Sequence, residues 1–95
     1  SKDDRRLYFW RTRAGVEVDF VVYGEDTFVA IEVKRGKSVS GKDTKPLLAF
    51  LEDYPQAQAC LLYSGRARLK INGIPCLPGE EFLRQLVPDR PIPLT

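Results

Sequence analysis

Hydrophobic and polar positions alternate most clearly in VEVDFVVY (16–23), where Val16, Val18, Phe20 and Val22 share one face. The polar turn GEDT (24–27) follows, and FVAIEVK (28–34) alternates again through Val29, Ile31 and Val33. Two period-two runs joined by a short turn predict a β-hairpin. Upstream, the aromatic-rich LYFWRT (7–12) predicts another strand, with Gly15 as a break before the hairpin. Downstream, RGKSVSGKD (35–43) has loop composition. TKPLLAFLEDYP (44–55) carries Leu47, Leu48, Leu51 and Tyr54 at helical spacing. Thr44 or Asp43 is the candidate cap, Pro46 fits the first turn, and Pro55 ends the helix.

The nearly continuous apolar run QACLLYSG (58–65) suits a strand covered on both faces. RARLKING (66–73) sets Ala67, Leu69 and Ile71 against Arg66, Arg68 and Lys70, the pattern of a half-exposed strand. IPCLP then leads into a terminal helix, GEEFLRQL (79–86). Residues 1–6 are polar and expected to be disordered, and residues 88–95 form an extended tail rich in proline. The predicted order is β-β-β-α-β-β-α, a mixed sheet flanked by helices in an α/β fold.

Burial sets the hairpin register, because residues opposite one another on an antiparallel pair share a face. With Phe20 opposite Ile31, Val18 faces Val33 and Val22 faces Val29, and the loop closes around Glu25 and Asp26. The same register places Asp19 opposite Glu32 and Glu17 opposite Lys34. Like charges directly opposite on an exposed sheet cost a few tenths to about 1 kcal/mol. A divalent cation bound by the two carboxylates, with water completing its shell, would offset that cost. Lys34, two residues beyond Glu32 on the same face, is in position to orient a water or to offset charge on a phosphoryl oxygen. The competing reading is an ordinary solvated face, with Glu17 and Lys34 as an ion pair and Arg11 or Arg13 balancing the acids.

Composition narrows the chemistry. The 95 residues suffice for one small domain, 43% hydrophobic and 29% charged, as in ordinary folded proteins. There is no histidine, which excludes Ser-His-Asp and Cys-His catalysis and, with only two cysteines, the usual zinc sites. Cys60 and Cys76 lie in apolar surroundings and read as buried thiols. No apolar run is long enough for a membrane span and no signal peptide opens the chain, so a cytoplasmic protein without membrane contact is expected. The net charge is only +2, but basic residues cluster: Arg11 and Arg13, then Lys34, Arg35, Lys37 and Lys42, then Arg66, Arg68 and Lys70. Such patches suit a phosphate backbone, and they equally suit plain solvated surface.

A strand bearing Asp19, a turn, and Glu32-Val33-Lys34 at a strand end resembles the PD-(D/E)XK, or restriction-endonuclease-like, superfamily. The match covers its E-x-K half, while the Pro-Asp form of the first half is absent. A wider likeness runs over roughly residues 8–86, through YFWRTRAGVEVDFVV, AIEVKRGKSVSGKDTKPLLAFLEDYPQAQACLLYSG and INGIPCLPGEEFLRQL. In order and spacing it is similar to an uncharacterised domain found C-terminal to the nucleotide-binding module of prokaryotic AAA+-type ATPases. A nuclease-like domain over residues 7–87 is the corresponding expectation. The full core of that superfamily begins with an α-helix, for which SKDDRR is too short and too charged, so the chain looks like part of a larger protein.

The resemblance implies that Asp19 and Glu32 bind Mg2+ or Mn2+, that Lys34 assists the attacking water, and that Glu17 is an auxiliary acid. Arg11, Arg13, Arg35, Lys37 and Lys42 would contact the phosphates of a nucleic acid. The ATPase module would be a partner in the parent chain. These residues contain no G-x-x-x-x-G-K-S/T loop, so no ATP site is expected among them. The alternative is a catalytically inactive nuclease fold used for nucleic-acid or protein recognition, or for forming a homodimer through a strand edge or an uncovered helix site.

Overall fold

The computed structural model describes residues 3–95; Ser1 and Lys2, part of the segment expected to be disordered, lie outside them. Asp3 to Arg5 are tied down: Asp3 accepts from the Asp89 N–H (3.1 Å), Asp4 from the Glu25 N–H (3.0 Å), and Arg5 Nε donates to Thr27 (3.0 Å).

Strands β1 (Arg6–Arg11), β2 (Glu17–Gly24) and β3 (Thr27–Val33) form an antiparallel meander. A 3-10 turn (Gly41–Thr44) and helix α1 (Lys45–Asp53) cross over to β4 (Gln58–Tyr63), which runs parallel to β3. Strand β6 (Ile74–Pro78) pairs parallel to β4, β5 (Leu69–Ile71) forms the far edge against β6, and helix α2 (Gly79–Gln85) follows. The result is a six-stranded mixed sheet in the order β1-β2-β3-β4-β6-β5 with two α-helices, a mixed α/β fold.

Both faces of the sheet carry a core. On one, Val18, Val21, Ala30, Ala59, Leu61 and Cys76 pack against Leu47 and Phe50 of α1. Phe50 is the hub of an aromatic cluster, with ring centroids 5.1 Å from Trp10, 5.7 Å from Phe28 and 4.9 Å from Tyr54. On the other face, Val29, Ile31, Cys60, Leu62 and Leu77 are covered by Phe82 of α2, with Ile92 and Leu94 of the C-terminal segment packed alongside. Both cysteines are buried free thiols, and burial pushes the Cys60 thiol up to about 12.

Several expectations change. The segment IPCLP is not a lead-in but strand β6, lying between β4 and β5. Asn72 (φ 53°) and Gly73 (φ 77°) both sit in the left-handed region and form the two-residue turn that joins β5 to β6. The strand expected over 66–73 is correspondingly only Leu69–Ile71, and the order becomes β-β-β-α-β-β-β-α.

The hairpin register holds from Phe20↔Ile31 through Val22↔Val29 to Gly24↔Thr27, but Val18 does not share a face with Val33. Opposite β1, Tyr8 pairs with Val21 and Trp10 with Val18, so Asp19 and Phe20 together oppose Phe9 alone. This β-bulge turns Val18 into the α1 core, where it is fully buried, while Val33 remains exposed. Finally, Glu17 does not face Lys34: it pairs with Arg11 across β1 and β2.

Candidate carboxylate site

The bulge also decides what happens at the open end of the hairpin. The β2–β3 ladder runs as far as Phe20↔Ile31. Beyond it, the Asp19 N–H donates to Glu32 Oε1 (3.0 Å) and the Val33 N–H donates to Asp19 Oδ2 (2.8 Å). Each acidic side chain thus takes the place of a backbone acceptor on the neighbouring strand. Asp19 and Glu32, expected from the sequence to face each other as a ladder pair, are instead joined beyond the ladder by two reciprocal side-chain-to-backbone hydrogen bonds.

Glu32 belongs to the α1-covered face, in line with Phe28 and Ala30, and is paired along β4 with the fully buried Leu61. Removal from water pushes its carboxyl up from 4.5 to about 7. The Asp19 N–H works against that rise, whereas the charges of Asp19 and Glu17 add to it. When protonated, Glu32 also hydrogen-bonds the Asp19 carboxylate. Near neutral pH Glu32 is therefore partly protonated.

Lys34 continues the strand, its N–H donating to the Leu62 carbonyl (2.8 Å). Its ammonium bonds Asp43 Oδ2 at 2.7 Å rather than Glu17. Asp43 sits in the 3-10 turn and also accepts from the Ser40 N–H (2.8 Å), while its own N–H donates to the Ser40 carbonyl (3.0 Å). The Lys34 hydrogen bond first, and the Ser40 N–H second, hold the Asp43 carboxyl below its ordinary range. The turn is anchored by Thr44, a fully buried side chain that donates to the Gly41 carbonyl (2.7 Å) and accepts from Asn72 Nδ2 (3.1 Å). Asp43 entered the sequence reading only as a helix cap. The spacing Ser40-x-x-Asp43, the signature of a side chain closing a turn on itself, was the signal available for it.

Of the other candidates, Glu17 meets Arg11 Nε at 3.0 Å in an exposed pair and acts on Glu32 through its charge. Arg13 is exposed in the β1–β2 turn, Arg35 and Lys37 are exposed beyond the end of β3, and Lys42 is exposed in the turn beside Asp43. Because β3 runs antiparallel to β2 and parallel to β4, the segments carrying Arg11, Arg13 and Arg35 leave the sheet at one end, the end that holds the carboxylates. On the opposite face a groove of about 920 Å³ runs over Leu7, Phe20 and Val33 toward Leu83, with Lys34 and Arg35 among its lining residues.

Among the described residues no group of three or more His, Cys, Asp or Glu side chains is placed to hold a metal ion. The donors on offer are two carboxylates, each using one oxygen on a backbone N–H. Such an all-oxygen, two-carboxylate set fits a hard cation that keeps most of its water, as Mg2+ does, and does not fit zinc or copper. No described helix is long and apolar enough to cross a membrane.

No curated protein and no solved structure matches the chain. One family does, over residues 1–82, which takes in β1 to β6, the carboxylate pair, Lys34 and Asp43. The chain belongs to the family described as a domain of unknown function, DUF4143.

Proposed function

We propose that this domain is a restriction-endonuclease-like module of the PD-(D/E)XK type that hydrolyses phosphodiester bonds in nucleic acid, carried C-terminal to an AAA+-type ATPase module. The observation that carries the reading is the Asp19–Glu32 pair: two carboxylates fixed against each other, one pushed up to about 7. A structural ion pair would have joined each acid to a base. Here, among the described residues, no salt bridge reaches either one.

Asp19 and Glu32 would hold a divalent cation in place of the proton that Glu32 retains near neutral pH. Bound there, Mg2+ or Mn2+ supplies positive charge to a phosphoryl oxygen and acidifies a water. Lys34 presents its ammonium two residues along the strand from Glu32; of its three donors one goes to Asp43, leaving two for a water or a phosphate oxygen. Glu17 tunes Glu32 by its charge. Arg13, Arg35, Lys37 and Lys42 contact phosphates and position the strand without reading its sequence.

The test is cleavage of single-stranded, duplex and branched DNA in Mg2+ or Mn2+ by the chain and by Asp19→Asn. Cation-dependent cleavage that the substitution abolishes is the expected result. DNA binding without cleavage, unchanged in Asp19→Asn, would replace this reading with that of an inactive recognition module. The largely uncovered groove over Phe20 and Val33, which are 41% and 48% exposed, is the observation that favours that second reading.

A further inference from the structure

We propose that Asp43 is the positioning residue of this site, holding the Lys34 ammonium where the chemistry needs it. The inference rests on the nuclease reading above and adds to it a residue outside the acidic pair and the E-x-K segment. Lys34 is a long side chain at the end of a strand, with its ammonium free to sweep a wide volume unless something fixes it. Asp43 is that fixture, at 2.7 Å. The contact is more than an incidental surface pair, because Asp43 is itself immobilised. Its Oδ2 accepts from the Ser40 N–H, its N–H closes the same turn on the Ser40 carbonyl, and the next residue, Thr44, is fully buried and bonded to Asn72 of the β5–β6 turn.

The geometry links two parts of the fold that are separate in sequence. Glu32 lies in β3 and Lys34 just beyond its last residue, Val33, so the two are two residues apart, about 6.6 Å of extended chain. The Lys34 ammonium is bonded to Asp43 of the turn that starts α1. Asp43 therefore sets where the ammonium stands relative to the carboxylate pair. The partners of its carboxylate are Lys34 and Ser40, not the acidic pair, so removing it should change turnover and leave cation affinity unchanged. A misplacement of about 1 Å in such a group typically costs up to 100-fold.

The test uses the whole chain with Asp43→Asn, Asp43→Glu, Lys34→Ala and the double variant Asp43→Asn/Lys34→Ala. The first readout needs no activity: the 15N-bound protons of the Lys34 ammonium, seen by NMR as a slowly exchanging signal when the group is held. We expect that signal in the native chain and its loss in Asp43→Asn. An equal signal in both would overturn the assignment, whether or not the domain cleaves DNA. The second is turnover. Asp43→Asn should lower it roughly 10- to 100-fold with Mg2+ affinity unchanged, Asp43→Glu should recover part of the loss, and in the Lys34→Ala background the Asp43 change should cost nothing further. An equal cost in both backgrounds would show that Asp43 serves only the turn, and a rise in turnover would show that it holds Lys34 away from the reaction. Either result would sink the proposal. If the native chain cleaves no DNA while the NMR result holds, the nuclease reading fails and the positioning of Lys34 by Asp43 stands.

Discussion

Replacing Glu32 with Gln removes the carboxyl that the fold displaces furthest, and its effect on stability can be worked out in sign and size. In the folded chain Glu32 ionises at about 7, against 4.5 ordinarily. Between those values the native state holds a proton that the unfolded chain has released, so stability falls as pH rises through the window and is lowest above pH 7. At 1.36 kcal/mol per pH unit the full interval corresponds to at most ~3.4 kcal/mol. Glu32 keeps partial access to water, and solvent screening reduces this to about 1–2 kcal/mol. Gln reproduces the protonated acid: its amide oxygen accepts from the Asp19 N–H and its amide donates to the Asp19 carboxylate.

In urea unfolding with chelator present, Glu32→Gln should match the native chain near pH 4.5. It should exceed it by about 1–2 kcal/mol at pH 8 and lack the slope between. Parallel pH profiles for the two proteins, or a variant less stable than the native chain at pH 8, would refute the claim that Glu32 is held at an energetic cost. The claim matters beyond stability, because a carboxylate kept in an unfavourable ionised state is what a bound cation relieves.

The same environment yields further tests. Glu17→Gln removes one of the charges that raise Glu32, so the Glu32 carboxyl followed by 13C NMR should titrate at lower pH than in the native chain. Thr44→Val keeps the shape of a fully buried side chain but breaks its bonds to Gly41 and Asn72, and should cost about 1–3 kcal/mol in chemical unfolding. Gly73→Ala places a Cβ at φ 77°, where nothing crowds it but the backbone conformation is unfavourable; a loss of about 1 kcal/mol is expected by the same assay.

The sequence disclosed the parts of this fold that depend on local pattern. The Phe20–Ile31 register followed from period-two alternation alone, and that alternation also pointed to the proximity of Asp19 and Glu32. The same pattern misplaced Val18 because the β2 bulge is set by a third strand: Trp10 and Val18 pack toward α1 while Phe9 faces two residues of β2. Reading the hairpin as buried on one face also left out its second core. Val21, Phe28 and Ala30 fill the α1 side, and Glu32 follows in that row, which is why it is desolvated. Strand β6 was hidden by its prolines. Pro75, which has no N–H to give, pairs only with Lys70, and Pro78 stands at the strand's end. Asp43 was out of reach because its partner lies nine residues back, just past the end of β3, brought near by the loop and turn rather than by any periodicity.

Whether Asp19 and Glu32 form a cation site is decided by a Mg2+ and Mn2+ titration, followed by calorimetry and NMR at pH 7.5. It should be run on the native chain, Asp19→Asn and Glu32→Gln. Saturable binding by the native chain is expected, with shifts centred on Asp19, Glu32 and Val33, proton release on binding, and loss of binding in both variants. Absence of binding by the native chain, or binding that survives both substitutions, would contradict that expectation.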